Sequence, residues 1–232
     1  KTDKKKLEKA LEEAEEYNNM LFQTQGAYIG DINEDILSDE RYAQLLDTSK
    51  KGIMGSIEIP KINVDLPIYH GTNDDVLSNG VGHLQSSSLP VGGKNTHSIL
   101  TGHRGLPNSK LFTRLDEIED KDLFFLHVCG KTLAYQVYDI QVIEPDELDK
   151  LTIEADKDIV SLITCTPYGI NTHRLVITGK RVPYKKTVKD AIQPNMMSFR
   201  EIIFTVLPFA FLIILIIREV LKKRKEKRLN EN

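Results

Sequence analysis

The sequence has only two cysteines, Cys129 and Cys165, in 232 residues. A small secreted domain held together by disulfides usually carries more, so we interpret both as free thiols, although the pair could form one disulfide. Neither cysteine has a second cysteine at the Cys-x2-Cys spacing of many zinc sites. We therefore expect no metal and no cofactor.

The sequence also lacks an excess of basic residues. It has 31 Lys or Arg against 34 Asp or Glu, and residues 200–232 contain 8 of the basic and 4 of the acidic ones. The part before residue 200 is therefore acidic. Because binding to nucleic acid depends largely on basic contacts to phosphate, we expect no nucleic-acid partner. With 40% hydrophobic residues, a chain of this length is typical of one domain with appendages.

Short β-branched and aromatic runs, divided by Gly, Pro and Asn, begin at Gly52. The pattern predicts about seven strands, at Ile53–Ile59, Val64–Tyr69, Ser98–Thr101, Leu123–Val128, Thr132–Ile143, Ile159–Thr164 and Leu175–Val182. So many short strands favour a mainly β domain, either a closed barrel or a sandwich. In the longest run, Leu133, Tyr135, Val137 and Asp139 alternate onto one predicted face. Residues Lys110–Ile118 predict a short helix between strands.

The N-terminal segment has a helical pattern. Apolar residues recur every three or four positions in Lys4–Phe22, which predicts an amphipathic helix. We favour a helix packed on the domain over a membrane-proximal stalk. The following Gln23–Lys51 is polar, with a short helix predicted around Asp39–Leu46.

The C-terminal segment is apolar. Thr205 is the only polar residue in Ile202–Ile217, and Pro208 lies within this run. We predict a transmembrane helix over residues 202–221, kinked at the proline, in preference to a buried core helix. The basic run Lys222–Arg228 should face the cytoplasm, which puts the preceding domain outside the cell.

A candidate active site lies between the last two predicted strands. Cys165 ends one strand, a loop with Pro, Gly and Asn follows, and Arg174 opens the next strand. The thiolate is the attacking form of cysteine, and a fixed cation near a thiol favours it. His103 ends an earlier strand between Gly102 and Gly105, which allow a sharp turn. Imidazole titrates near neutrality, so His103 suits the role of a proton shuttle.

The alternatives to this site are less specific. We interpret the remaining histidines as structural or surface residues and Cys129 as an inert small hydrophobe. The same inert role is the alternative for Cys165. A papain-like arrangement is disfavoured because there the cysteine precedes the histidine, whereas here His103 precedes Cys165.

Three motifs resemble those of a known family. Leu162-Ile163-Thr164-Cys165, Arg174 and the His103 segment LTGHR resemble the signature of the sortase transpeptidases of Gram-positive cell surfaces. The longer strings TCTPYGINTHRL and TGHRGLP resemble the pilus-assembling class C branch most closely. The resemblance extends from about Gly52 to Val182.

The resemblance implies a fold, a reaction and partners. It implies a closed eight-stranded sortase-type barrel with short helices, and Cys165, His103 and Arg174 as catalytic residues. Cys165 would attack an LPxTG-like sorting signal between Thr and Gly and form a thioacyl intermediate. The acceptor would be a lysine amine of a neighbouring pilin. Thr164 and Tyr168 would line the peptide groove, although each is equally compatible with a packing role.

The sequence departs from the class C pattern in one respect. Class C enzymes commonly carry a lid in which an Asp-Pro-aromatic tripeptide plugs the active site, but the first proline here is Pro60. We therefore expect an open cleft, or weak cover by the Tyr28–Asp31 region. Proteins of the resembled family also usually have an N-terminal signal or anchor. Because the sequence begins at Lys1 without such a run, we expect that segment to lie outside it.

These observations divide the chain into five predicted segments: 1–51 (N-terminal helix and lid-equivalent region), 52–184 (catalytic barrel), 185–201 (linker), 202–221 (transmembrane helix) and 222–232 (basic cytoplasmic tail). The predicted function is that of a membrane-anchored cysteine transpeptidase which polymerises pilins or other surface proteins bearing the sorting signal. One alternative is a cell-wall-anchoring enzyme that uses a peptidoglycan amine. The other is a non-catalytic, membrane-tethered β module that binds an extended peptide.

Overall fold

The computed structural model describes residues 2–26, 39–49, 51–105, 110–195 and 197–230. The chain divides into two compact units, Lys1–Pro194 and Asn195–Asn232. The finer division into five segments remains a prediction.

The first unit is built on a closed β-barrel. Its strands are β1 (Ile53–Ile59), β2 (Val64–His70), β3 (Val81–His83), β4 (Thr96–Thr101), β5 (Leu123–Val128), β6 (Lys131–Ile143), β7 (Asp158–Thr166) and β8 (His173–Val182). The order around the barrel is β1-β2-β3-β4-β7-β8-β6-β5. The prediction of a mainly β, closed, eight-stranded barrel is therefore confirmed. Closure leaves no unpaired sheet edge at the ends of the strand order.

The barrel interior is filled by inward-facing apolar side chains. Phe124 and Tyr135 are each at most 1% exposed, and their rings stack with centroids 5.5 Å apart. Gly179 leaves room for this pair, because a Cβ at that position would lie 2.5 Å from Phe124. The β-branched runs predicted as strands thus supply a large core cluster and a smaller one formed by Ile99, Ile163 and Val176, and burial of these side chains is the main stabilising term.

Between β2 and β4, two short elements were absent from the sequence prediction. They are β3 and helix α3 (Asp74–Asn79), which is capped by the Asn73 side chain accepting a hydrogen bond from the Val76 amide at 2.9 Å. A three-residue strand next to Gly80 is too short to show an alternating pattern.

Two local predictions were wrong. Residues Lys110–Ile118 do not form a regular helix, and only a single 3-10 turn occurs there, Leu115–Glu117. In β6 the pairing with β8 shifts between Val137 and Asp139. This irregularity breaks the alternation, so Asp139 is only half-buried rather than continuing the buried face.

The N-terminal helix α1 (Thr2–Gly26) packs on the barrel unit, as predicted. Its contact face contains Ala14, Tyr17 and Asn18, which are 0%, 2% and 3% exposed. The Asn18 amide group forms two hydrogen bonds with the backbone of Leu89, at 3.0 and 2.7 Å. A peripheral helix is therefore held by both apolar and polar contacts.

A second short helix, α2 (Asp39–Gln44), lies where the sequence predicts one. Its Tyr42 is 4% exposed, and the hydroxyl lies 2.9 Å from the Nδ1 of His83 and donates to the His83 carbonyl at 3.1 Å. This contact ties the segment before the barrel to β3.

The segment predicted as a linker contains helix α4 (Lys186–Asp190). Lys189 forms an ion pair with Glu58 at 2.5 Å, and Glu58 also lies 3.0 Å from the Nε2 of His127. The chain after β8 is therefore fixed to the outside of the barrel by charged contacts.

The second unit contains helix α5 (Phe199–Asn230), with Pro208 inside it. Within the described part of the chain, residues Glu201–Lys223 of this helix are long and apolar enough to span a membrane. This agrees with the predicted span at residues 202–221.

Candidate active site

The parallel pairing of β4 with β7 brings His103 towards Cys165. Thr101 is the register partner of Ile163, and the Gly102 amide donates to the Ile163 carbonyl at 3.0 Å. The Thr164 hydroxyl donates to the Gly102 carbonyl at 2.8 Å. His103 lies two residues after Thr101, and Cys165 lies two residues after Ile163. These two residues therefore lie at the same end of adjacent strands.

The antiparallel pairing of β7 with β8 brings Arg174 to the same end. Cys165 and Arg174 are direct register partners, and both are half-buried. The Nη1 of Arg174 donates to the carbonyls of Asn171 and His173, at 3.3 and 3.1 Å. These contacts hold the guanidinium near the mouth of the β7–β8 loop. The three predicted catalytic residues thus occupy the ends of three neighbouring strands.

The two glycines near His103 have different roles. Gly105 has a φ of +81°, a conformation that favours glycine. Gly102 allows a close approach instead, because a Cβ there would lie 2.8 Å from the ring of Phe112. The Phe112 amide in turn donates to the His103 carbonyl at 3.1 Å. Both features fix the backbone that carries the imidazole, which is half-buried.

The two predicted groove residues differ in exposure. The Thr164 side chain is 1% exposed, and its hydroxyl is bonded to Gly102. This favours packing, the alternative that the sequence left open. Tyr168 is 48% exposed in the β7–β8 loop, where a ligand can reach it.

One residue near the site was absent from the sequence prediction. Arg104 follows His103 directly, yet it is 8% exposed and forms an ion pair with Asp116 at 2.6 Å. Its Nη1 also reaches the carbonyl of Cys165, at 3.4 Å. The only signal in the sequence is its position next to the histidine. An exposed arginine would be the ordinary expectation there.

The remaining histidines each have a protein partner. His97 is 4% exposed and lies 2.8 Å from both the Thr152 carbonyl and the Ser161 hydroxyl. Burial lowers the pKa of His97, and burial lowers the pKa of His83 to about 4. The partners of the other three are Leu45 for His70, Glu58 for His127 and Glu144 for His173. These contacts support the structural role predicted for them.

Both cysteines are free thiols. Cys129 lies in the β5–β6 hairpin turn with a φ of +49° and is half-buried. Burial raises the pKa of the Cys129 thiol, partly opposed by Lys131. A thiol that resists ionisation fits the inert role predicted for Cys129.

Among the described residues there is no group of three or more His, Cys, Asp or Glu that could hold a metal ion. The suggested cover by Tyr28–Asp31 lies outside the described residues.

A closed barrel with a cysteine, a histidine and an arginine at the ends of adjacent strands has the groups that nucleophilic catalysis by a thiol requires. The sortase domain family matches residues 57–182, and the chain belongs to this family. The family assignment made from the three motifs is therefore confirmed.

Sortase D of Bacillus subtilis is 35% identical to the chain over 131 residues, which are 55% of this chain and 63% of that protein. The chain thus spans less than two thirds of this curated relative. Sortase C1 of Streptococcus agalactiae is a solved structure with 44% identity and a TM-score of 0.69, covering 77% of this chain and 90% of its own. Sortase C of Clostridium perfringens, solved with its C-terminal cell wall sorting motif, has 45% identity and a TM-score of 0.65, covering 78% and 91%. Both of these solved structures are sortase C proteins.

Proposed function

We propose that the protein is a cysteine transpeptidase in which Cys165 is the nucleophile, His103 the acid and base, and Arg174 the electrostatic stabiliser. The observation that carries the proposal is the strand register. Cys165 pairs with Arg174 across β7 and β8, and His103 follows a strand that runs parallel to β7. Three reactive groups distant in sequence thereby share one end of the barrel.

In the first half-reaction, the Cys165 sulfur attacks the carbonyl carbon of a substrate peptide bond as the thiolate, with the thiol proton held on His103. The carbon–nitrogen bond breaks, the sulfur–carbon bond of a thioester remains, and His103 gives a proton to the departing amine. Arg174, a permanently charged donor, stabilises the developing oxyanion or binds the substrate backbone.

In the second half-reaction, an acceptor amine attacks the thioester carbon and His103 takes the proton from that amine. A new amide bond forms, and the Cys165 sulfur leaves as the thiolate. The two steps use the same imidazole in opposite directions, as a general acid and then as a general base. The reaction exchanges one amide for another and needs no external energy source.

For the substrate we propose an extended LPxTG-like sorting signal cut between Thr and Gly, with a pilin lysine as the acceptor. Support comes from the sortase C neighbours, one of which was solved with a cell wall sorting motif. The exposed Tyr168 ring offers an apolar surface for such a peptide in the loop that follows the strand of Cys165. A peptidoglycan amine is the alternative acceptor.

We also propose that α5 anchors the enzyme in the membrane with the barrel unit outside the cell. The support is the run Lys222–Arg228 at the end of the apolar segment, because basic residues flank the cytoplasmic end of a span. A transpeptidase that joins surface proteins must act on that outer face.

The experiment compares Cys165→Ala with Cys129→Ala in the intact chain. With an LPxTG-like peptide and a purified pilin, we expect Cys165→Ala to lose both the thioacyl adduct, seen by intact-protein mass spectrometry, and the covalent pilin ladder on a denaturing gel. The Cys129→Ala control should keep both. Product formation by Cys165→Ala would refute the enzyme assignment. Peptide binding without any product in the wild-type protein would favour the non-catalytic module. In a parallel reaction with a peptidoglycan-like amine, product formed there and not with the pilin would show that the acceptor is a peptidoglycan amine.

A further inference from the structure

A buried cation, Arg104, contacts the backbone of the proposed nucleophile. The Arg104 side chain is 2% exposed, and its Nη2 lies 2.6 Å from the Oδ2 of Asp116. That carboxylate is 31% exposed, so the ion pair joins a buried guanidinium to a group that still contacts solvent. Asp116 belongs to the 3-10 turn after the His103 segment.

The other arm of the same guanidinium contacts the strand end that carries the nucleophile. Nη1 donates to the Cys165 carbonyl at 3.4 Å and to the Thr166 hydroxyl at 3.3 Å. Each distance is long for a hydrogen bond, but both contacts use one nitrogen whose direction Asp116 fixes. The Arg104 Cζ also lies 5.6 Å from the centre of the Tyr168 ring. One side chain therefore connects the histidine segment, the cysteine backbone and the exposed tyrosine.

The arrangement has an energetic cost. Removing a guanidinium from water is unfavourable unless its donors are paired, and the Arg104 Nε has no hydrogen-bond partner among the described residues. An apolar residue of similar volume would avoid that cost. The planar fork of arginine does something that no apolar side chain can do: it contacts a carboxylate and a backbone carbonyl at once.

We infer that Arg104 is a positioning residue for the proposed reaction. It holds the Cys165 carbonyl and Tyr168 in a fixed relation to the backbone of His103, so that thiol and imidazole meet the substrate in one geometry. Asp116 orients the guanidinium. This inference rests on the proposed function, because it concerns the same three reactive groups. Arg104 itself takes no part in bond making.

The chain offers a matched control in Arg114. Its side chain is 9% exposed, and it forms two hydrogen bonds with Glu117, at 2.9 and 2.7 Å. Arg114 is thus a second buried arginine paired to a carboxylate in the same segment. Its guanidinium is bonded to Glu117, whereas the Cys165 carbonyl accepts from Arg104. Changing Arg114 to lysine removes a comparable fork without touching the nucleophile.

The experiment measures Arg104→Lys, Asp116→Asn and Arg114→Lys in the intact chain with a fluorogenic LPxTG-like peptide. We expect both lysine variants to lower Tm by similar amounts. Of these two, only Arg104→Lys should lower kcat, by roughly tenfold or more, with KM changed less than about twofold, because small displacements of reacting groups cost large factors in rate. Asp116→Asn should lower kcat in the same direction, because it removes the partner that orients the Arg104 guanidinium. Arg114→Lys should keep kcat within about twofold. The double variant Arg104→Lys/Asp116→Asn should lose little more than the worse single variant, since the two residues act together.

A kcat for folded Arg104→Lys equal to that of Arg114→Lys would overturn the inference, as would a loss confined to KM. The alkylation rate of Cys165 by iodoacetamide, read by peptide mass spectrometry, separates this inference from the proposed function. Should the wild-type protein turn over no peptide, the proposed function fails. In that case the positioning role of Arg104 is still supported if Arg104→Lys changes the alkylation rate of Cys165 severalfold and Arg114→Lys does not. Equal alkylation rates in the two variants would overturn that role.

Discussion

The hydrogen bonds between Asn18 of α1 and Leu89 should contribute measurably to the free energy of unfolding. Asn18 is 3% exposed, and its amide group both donates to the Leu89 carbonyl and accepts from the Leu89 amide. Asn18→Ala removes the side-chain donor and acceptor, so the Leu89 carbonyl and amide are left without these hydrogen bonds in a buried interface. An unsatisfied buried group costs about 1–3 kcal/mol.

Water entering the vacated space recovers part of that loss, so we expect the free energy of unfolding to fall by roughly 2–3 kcal/mol. For a protein of this size each kcal/mol corresponds to about 2–4 °C in Tm. The expected decrease in Tm is therefore about 4–12 °C. The loss should appear first in the helical circular-dichroism signal if α1 separates before the barrel opens.

The neighbouring Asn19 provides the control, because it is exposed on the same helix. Exposed substitutions of this kind usually change stability by less than about 0.5 kcal/mol. The assay is thermal and urea unfolding of both variants in detergent, followed by circular dichroism. If Asn18→Ala and Asn19→Ala unfold within about 0.5 kcal/mol of each other, the two hydrogen bonds do not hold the helix, and the argument from buried polar groups is refuted.

Two further predictions concern the thiols and the pH dependence of stability. Because the sequence has no Asp-Pro-aromatic tripeptide before Pro60, we expect a thiol reagent to modify the half-buried Cys165 in the resting protein; complete protection that is relieved by removing residues 23–38 would contradict this. Burial lowers the pKa of His83 to about 4, so the unfolded chain binds a proton at this residue more readily than the folded one. Stability should therefore be lost as the pH falls from about 6.5 towards 4, by about 2 kcal/mol at pH 5. Urea unfolding at pH 7 and 5 measures this, and an equal decrease in His83→Gln would show that another group is responsible.

The larger elements were predictable because their patterns are long. The β-branched runs of β1, β5 and β6 gave strand positions within a residue or so of the observed ones, since alternation and punctuation are local signals. The apolar length of α5 and the helical period of α1 were equally clear. The family resemblance supplied the closed eight-stranded barrel, because the strand pattern alone left the fold open between a barrel and a sandwich.

The elements that sequence reasoning missed depend on tertiary contacts. The strand β3 has three residues, and it exists because β2 and β4 pair with its two edges. Residues 110–118 have helical composition, but the amide of Phe112 bonds back to His103 and only one 3-10 turn forms. Arg104 was overlooked for the same reason. Nothing in its local sequence indicates that its side chain turns inward to reach Asp116.

The parallel pairing of β4 and β7 has a consequence for biosynthesis. Its register partners Thr101 and Ile163 are 62 positions apart, with β5 and β6 between them in the sequence, so this contact forms only after a long stretch of chain has been made and has folded back on itself. Until then the sulfur and the imidazole travel on independent segments. A newly made or partly denatured copy therefore lacks the proposed three-residue site, and the onset of the proposed transpeptidase activity would report that the barrel has closed.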